Sequence, residues 1–166
     1  MPHSVPVSEL MIPPKEWPQL RGDADVSTAI KILRIITEEQ KLEHGHSTPL
    51  VMDENFRLLS FVRLVDVLKS VRHLWDQSEK PCDLSRANTM LRDLVTQFAD
   101  SVKPEDSILK ALDIMMDHGV SLVPVLVDGK LKGIIKLSDV FSVVSGLLFD
   151  ESDPEERQKL LRDHHF

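Results

Sequence analysis

The sequence predicts an α+β fold made of two copies of one unit that pack against each other. The clearer copy runs from Gly119 to Val140 and contains a helix stop, an apolar strand, a tight turn, a second strand and the start of a helix. A weaker copy begins at Gly45, and its Asp66 precedes Asp139 of the clearer copy by 73 residues. Because a duplicated unit usually buries its apolar face against its twin, we expect the two halves to share a core.

Length and composition exclude several classes of protein. The 166 residues suffice for one compact domain or two small halves, and 42% are hydrophobic against 28% charged. The net charge of −7 opposes non-specific binding to nucleic acid. The chain has no apolar run near the roughly 18 residues of a membrane span, no secretory signal at Met1–Ser4, and one cysteine, Cys82. We therefore expect a cytoplasmic protein that binds neither nucleic acid nor membrane.

The first half is predicted to open with an extended segment at Val5–Ile12, which the prolines that follow it terminate. Residues 15–25 are rich in turn formers, with Trp17 as their large apolar anchor. A helix with an apolar face should then start at a cap supplied by Asp25 or Ser27. The remaining expected elements of this half are a helix stop at Gly45, a strand at Thr48–Met52, a returning strand at Arg57–Leu64, a helix at Val65–Trp75 and a polar bridge at 76–89.

The second half has stronger local signals. A helix should start near Glu105–Ser107 and end at Gly119. Asp128 and Gly129 lie between two apolar runs and predict a hairpin turn with positive φ. Ser138 is expected to cap a helix that ends near Leu148. The expected core includes Val123, Val125 and Ile135, and Pro154 should begin a short helix in the acidic tail.

Aligning the two halves on Pro49 and Pro124 gives the first hairpin two extra residues. Nine steps separate Pro49 from Leu58, and seven separate Pro124 from Leu131. The first helix is also expected to be longer by about two turns, which nearly preserves the phase of its apolar stripe.

Several of these segments resemble the cystathionine β-synthase (CBS) domain. The stretch from Gly119 to Val125, the turn Asp128–Ile135 and the junction Leu137–Asp139 are similar to the core of one CBS repeat. Val7–Pro13 looks like the usual opening of a first repeat, and Ser101–Ile108 is similar to the segment before the helix of a second. The resemblance covers residues 5 to 148 and is stronger in the second half.

This resemblance implies a tandem pair of β-α-β-β-α repeats related by a pseudo-twofold axis. The implied boundaries are 5–75 for the first repeat, 76–89 for the linker, 90–149 for the second repeat and 150–166 for the tail. Such pairs, called Bateman modules, commonly form homodimers and bind AMP, ADP, ATP or S-adenosylmethionine in clefts between the repeats. They usually act as sensors and are not themselves enzymes.

Asp66 and Asp139 are the main candidate ligand contacts. Each carboxylate lies where a strand passes into a helix, a place favoured by the exposed amides of the helix start, and each can accept bonds from two ribose hydroxyls. The resemblance assigns the same ribose role to this aspartate. From the residues alone, the alternative is an acidic first-turn residue that complements the helix dipole.

Arg63 and Lys136 stand three residues before these acids, where the family normally has serine or threonine. A cation there could pair with a phosphate more strongly than a hydroxyl does. It could equally pair with the nearby aspartate and block the cleft. These two outcomes predict a nucleotide-binding module and a ligand-free scaffold, respectively.

Apolar walls for a base are expected from both halves. The candidates are Met11 and Ile12 for one cleft, Phe98 and Val102 for the other, and Pro49 and Pro124 at the openings of the central strands. Ordinary core packing is the alternative for most of these side chains.

Histidines and the cysteine give weaker signals. His44, His46 and the nearby Glu43 suggest a metal site, but a helix end flanked by histidines is more often dipole complementation, and no metal is predicted. Cys82 is expected to be an inert thiol. A general base at His46 or His118 lacks a supporting catalytic motif. The sequence therefore favours a regulatory homodimer that binds an adenine nucleotide and signals to a protein partner, with the ligand-free dimerisation scaffold as the alternative.

Overall fold

A computed structural model describes residues 5–38, 48–75, 89–95, 98, 100–148 and 153–164. The first repeat has the predicted order of strand, helix, two strands and helix. Its elements are β1 (Gln19–Arg21), α1 (Val26–Glu38), β2 (Leu50–Met52), β3 (Leu58–Phe61) and α2 (Leu64–Trp75). The parallel pair β1–β2 and the antiparallel pair β2–β3 form one three-stranded sheet.

The second repeat has the same order of elements, but a single bridge takes the place of its first strand. Its elements are α3 (Leu91–Leu94), α4 (Ile108–His118), β4 (Leu122–Val127), β5 (Lys130–Lys136) and α5 (Leu137–Leu148). In place of a first strand, Val102 forms a single parallel bridge with Val125. The helix predicted in the tail is present as α6 (Pro154–His164). The α+β fold of two related repeats is therefore confirmed.

Side-chain caps explain where the helices begin. Asp25 Oδ1 accepts a bond of 2.7 Å from the backbone N–H of Thr28, as predicted for the start of α1. Ser107 Oγ accepts from the N–H of Leu109 at 3.2 Å, and Gly119 ends α4 with φ of 62°. The predicted cap at Ser138 is wrong, because α5 already includes Leu137 and Ser138 lies in its first turn.

Two short elements differ from the sequence prediction. Val5–Ile12 is not a strand: it contains a 3-10 turn at Val7–Glu9, with isolated bridges on both sides of it. Strand β1 was missed within a segment predicted as turns, although its Leu20 is buried, as is the predicted anchor Trp17. The predicted helix stop at Gly45 and residues 76–88 of the predicted linker lie outside the described residues.

The hairpin registers correct the alignment of the two halves. In the second hairpin Pro124 pairs with Ile134 and Leu126 with Leu131, whereas in the first Leu50 pairs with Phe61 and Met52 with Leu58. The pairing becomes irregular between Val51 and Met52 in the first hairpin and between Val125 and Leu126 in the second. When these irregularities are aligned, Leu50 and not Pro49 corresponds to Pro124. The first hairpin is therefore longer by one residue, and the predicted difference of two is wrong.

Each repeat receives an apolar side chain from the opening segment of the other. Val7, at the start of the chain, is fully buried in the core of the second repeat with Ile108 and Ile135. Leu91, which opens the second half, is fully buried in the core of the first repeat with Val26 and Val62. The two repeats are thus closed reciprocally and share one folded body.

A third apolar cluster joins the two sheets. It contains Trp17 together with Leu50 and Met52 of β2, Leu122 of β4 and Ile134 of β5. The predicted core residues Val123, Val125 and Ile135 are all fully buried. No helix in the described part of the chain is long and apolar enough to span a bilayer.

Candidate functional site

A cavity of about 730 Å³ lies between the two repeats. Its volume falls in the range of about 300–1,000 Å³ that is typical of small-molecule sites. The first repeat contributes the residues around the junction of β3 and α2, and the second contributes the turn from α4 into β4. The lining residues are Thr48, Ser60, Phe61, Arg63, Asp66, Phe98, Asp100, Ile114, Met115, Met116, His118, Gly119, Val120, Ser121, Leu122 and Leu137.

The predicted acid Asp66 lies in the first turn of α2 and is paired with Arg63. Arg63 Nη2 donates to Asp66 Oδ1 at 2.8 Å, and Arg63 Nε donates to Asp66 Oδ2 at 2.9 Å. These bonds from the guanidinium lower the pKa of Asp66, although partial burial opposes the effect. The carboxylate is therefore ionised at neutral pH, and each of its oxygens accepts one guanidinium bond.

Two phenylalanines form an aromatic part of the cavity lining. The ring centroids of Phe61 and Phe98 are 6.4 Å apart, with an interplanar angle of 58°. Phe98 was predicted as a wall for a base, whereas Phe61 was missed because it reads as an ordinary strand residue. One signal was available in the sequence: Phe61 lies two residues before Arg63, near the end of the predicted strand, and it is the last residue of β3.

The opposite side of the cavity comes from the turn between α4 and β4. Gly119 reverses the chain with its positive φ, so that His118 and Ser121 on either side of it reach the cavity. Sequence reasoning considered His118 as a general base and favoured a helix-end role for it, and it did not name Ser121 or Asp100 as site residues. No motif identifies these positions, because the fold brings them together from separate segments.

The second predicted acid has a looser ion pair. Asp139 lies in the first turn of α5, and its Oδ1 is 3.9 Å from Lys136 Nζ. Lys136 lines a smaller cavity of about 450 Å³ together with Ser121, Leu122, Leu137, Ser138 and Phe141. This cavity shares Ser121, Leu122 and Leu137 with the larger one, so the two are neighbours.

The other predicted site residues lie mainly in packed regions. Val102 is buried in the core of the second repeat, and the side chain of Met11 packs over Gly133. Ile12 packs in the cluster between the sheets. Pro49 and Pro124 are buried, and their carbonyl oxygens accept bonds of 3.0 Å from the N–H groups of Val62 and Val102. The structure therefore brings Arg63, Asp66 and Phe98 together in one cavity lining, and the ligand roles of all the predicted site residues stay predictions.

The weaker metal signal is only partly covered by the structure. Within the described ranges, no group of three histidine, cysteine or acidic residues could hold a metal ion. His44 and His46, together with Glu43 and Cys82, lie outside these ranges.

Two comparisons with known proteins find a similarity in the second half of the chain. The profile of the CBS domain family matches residues 87–146. A stretch of 59 residues is 41% identical to inosine-5'-monophosphate dehydrogenase of Korarchaeum cryptofilum, and it covers 36% of this chain and 11% of that enzyme. The match is therefore to a small part of a much longer protein.

Solved structures extend the likeness over most of the chain. The structure of CBSX2 in complex with AMP matches 87% of this chain and 98% of its own, with a TM-score of 0.63 and 19% identity. The CBS domain pair of MJ0100, in complex with 5'-methylthioadenosine and S-adenosyl-L-methionine, covers 86% of this chain and 98% of its own, with a TM-score of 0.61 and 17% identity. At these identities the likeness shows the fold.

Proposed function

This chain has the fold of a CBS-domain pair, and we propose that it is a regulatory module that binds an adenine nucleotide between its repeats. The main support is the cavity, in which an ionised carboxylate at a helix start lies in the same lining as an aromatic pair. Two proteins of similar fold, CBSX2 and MJ0100, have been crystallised with adenosine-containing ligands. The proposed role is sensing, with no chemical step assigned to the chain.

In the proposed complex, Asp66 accepts hydrogen bonds from the two vicinal ribose hydroxyls. An ionised carboxylate has about four acceptor positions, so it can bind a diol once its cation moves aside. Phe61 and Phe98 offer apolar surface to the base. The first repeat would then hold the sugar while the turn from α4 into β4 contacts the ligand from the second repeat.

A ligand held by both repeats would favour the arrangement of the repeats in which both sets of contacts form. This preference is the proposed signal. Helix α6 is the candidate element that transmits it to a protein partner, because Leu160 and Leu161 there are 53% and 64% exposed. We also propose that this occurs in the cytoplasm, as the composition suggested.

We further propose that the module is a homodimer. The last helix of each repeat exposes large apolar side chains, with Leu68 on α2 53% exposed and Phe141 on α5 67% exposed. Sedimentation velocity of the wild type should show a dimer, and Leu68→Glu combined with Phe141→Glu should give monomers. Leu160→Glu, at a similarly exposed site on α6, is the control that should remain dimeric. A monomeric wild type would contradict the proposal.

The binding proposal is tested by calorimetry with AMP, ADP, ATP and S-adenosylmethionine. We expect at least one of them to bind the wild type, and Asp66→Asn to weaken that binding at least about tenfold because the amide accepts fewer hydroxyl bonds. Asp139→Asn, at the corresponding position of the second repeat, is the matched control and should have a smaller effect. Absence of heat with all four compounds would overturn the proposal.

The ligand-free scaffold is the second candidate, and the contact between Arg63 and Asp66 favours it. Both oxygens of Asp66 already accept bonds from Arg63, so this carboxylate has a partner without a ligand. Denaturing the purified protein and measuring absorbance near 260 nm in the filtrate separates the two candidates. A released adenine compound supports the sensor, whereas a silent filtrate together with silent calorimetry supports the scaffold.

A further inference from the structure

We propose that Arg63 is a gate that makes the cavity select adenosine compounds carrying a 5′-phosphate. In the structure its guanidinium lies on Asp66, and in the proposed complex it moves to the phosphate and leaves Asp66 to the ribose. This inference rests on the proposed function, because it specifies which adenosine ligand the same cavity binds.

The geometry creates a competition for one carboxylate. Arg63 donates one bond to each oxygen of Asp66, at 2.8 and 2.9 Å. A ribose diol that approaches the same oxygens must displace at least part of this bidentate contact. A ligand without its own anion therefore breaks an ion pair and leaves the guanidinium without a carboxylate.

Exposure indicates which partner moves. The side chain of Arg63 is 64% exposed, whereas that of Asp66 is 23% exposed and lies in the first turn of α2. The long arginine side chain can rotate into solvent or across the cavity, while the short carboxylate stays close to the helix backbone. We therefore assign the movement to Arg63.

The charges of the lining make this movement selective. Among the described residues that line the cavity, Arg63 is the single lysine or arginine, and Asp66 and Asp100 are acidic. A phosphate dianion binds a guanidinium bidentately, as a carboxylate does, and carries more charge. Adenosine offers no such replacement. S-adenosylmethionine has a carboxylate of single negative charge, but its ammonium and sulfonium groups leave the molecule with a net positive charge.

The test compares AMP with adenosine by calorimetry on the wild type and on Arg63→Gln. The wild type should bind AMP at least about tenfold more tightly than adenosine. Arg63→Gln should lose most of that preference, because AMP binding weakens while adenosine binding stays equal or improves as Asp66 is released. Arg63→Lys keeps the charge and should retain part of the preference. Arg21→Gln is the control that should retain all of it, because Arg21 makes the same bidentate contact with Asp23 outside the cavity lining.

The outcomes separate this inference from the proposed function. Equal affinity of the wild type for AMP and adenosine, or a parallel loss of both in Arg63→Gln, would overturn the gate and leave an adenosine-binding module. Failure of both compounds to bind, with silent calorimetry for the other nucleotides, would remove the proposed function itself. Circular dichroism and a melting curve check that the exposed substitution leaves the fold intact.

Discussion

The two repeats have the same order of elements but differ in the length of their strands and in the distance between each acid and its cation. The second repeat has strands of six and seven residues joined by a tight turn, and the first has three strands of three or four residues. The ion pairs of Asp66 and Asp139 differ in the opposite sense, because the shorter contact is in the first repeat. Arg63 contacts Asp66 at 2.8 Å, whereas Lys136 lies 3.9 Å from Asp139.

This difference suggests that the framework and the site are divided between the repeats. The second repeat provides the more regular hairpin and the wall formed by α4 and β4. The first repeat provides the acid, its cation and one of the two phenylalanines, on shorter strands. Shorter strands make fewer ladder hydrogen bonds, so the side of the cavity that carries the Arg63–Asp66 ion pair is the less constrained one.

The largest expected effect tests whether the repeats fold as one unit. Leu91→Ala in the first core and Ile135→Ala in the second each remove a fully buried side chain, and each should lower the free energy of unfolding by about 2–5 kcal/mol. Because Val7 and Leu91 are exchanged between the cores, both variants should shift one common transition in urea. Two separate transitions, with each substitution affecting one of them, would show independent repeats.

A smaller effect is expected at the two hairpin turns, with opposite signs. Asp128 and Gly129 have φ of 51° and 76°, as predicted for a hairpin turn with positive φ. In the first hairpin the exposed Phe56 adopts a φ of 59°. Gly129→Ala should destabilise the protein by about 1 kcal/mol. Phe56→Gly should stabilise it by roughly 0.5 kcal/mol, since relief of strain exceeds the added chain entropy of glycine.

Thermal melting measures both turn variants under the same conditions. Gly129→Asn is the control, because asparagine tolerates positive φ and should cost less than alanine. A loss of stability in Phe56→Gly would mean that the aromatic side chain contributes more than its backbone strain costs.

The smallest effect concerns the caps of the corresponding helices α1 and α4. The backbone N–H of Thr28 donates to Asp25 and lowers the pKa of its carboxyl group in the folded state. The stabilising contribution is therefore present above the unfolded pKa of about 3.9 and is lost as pH falls through the lower folded pKa. Asp25→Ser should reduce the loss of stability between pH 5 and pH 3, since serine caps without ionising.

Urea unfolding at the two pH values measures this contribution. Ser107→Ala is the matched change in the second repeat, and it should lower stability by a similar amount at both pH values because serine does not titrate. An unchanged acid sensitivity in Asp25→Ser would show that other carboxylates, such as Asp66 and Asp106 with their lowered pKa values, dominate the acid response.

The sequence predicted the parts of the fold that local chemistry specifies. The side chains of Asp25 and Ser107 bond to backbone N–H groups two or three residues away, so the sequence predicted these helix starts to within two residues. Gly119 and the Asp128–Gly129 turn were predicted directly, because each needs a positive φ. The register of the first hairpin could not, because the shared proline suggested an alignment that the hydrogen bonds displace by one residue. Strand β1 was missed because its three residues are too few to show a periodic pattern.

The same limit applies to the site. Arg63 and Asp66 were predictable because they are three residues apart at a strand-to-helix junction, and so was the possibility that they pair. His118, Ser121 and Asp100 were not, because their proximity to Asp66 results from the packing of one repeat against the other. Aromatic and acidic residues in the lining could be proposed from sequence, but the shape of the cavity required the fold.

The exchange of Val7 and Leu91 has a consequence for any attempt to produce one half of this chain alone. A single repeat of this type would leave its core open where the other repeat inserts an apolar residue. Such a fragment would expose apolar surface at that gap, and mixing the two fragments should restore the fold because each supplies the residue that the other lacks.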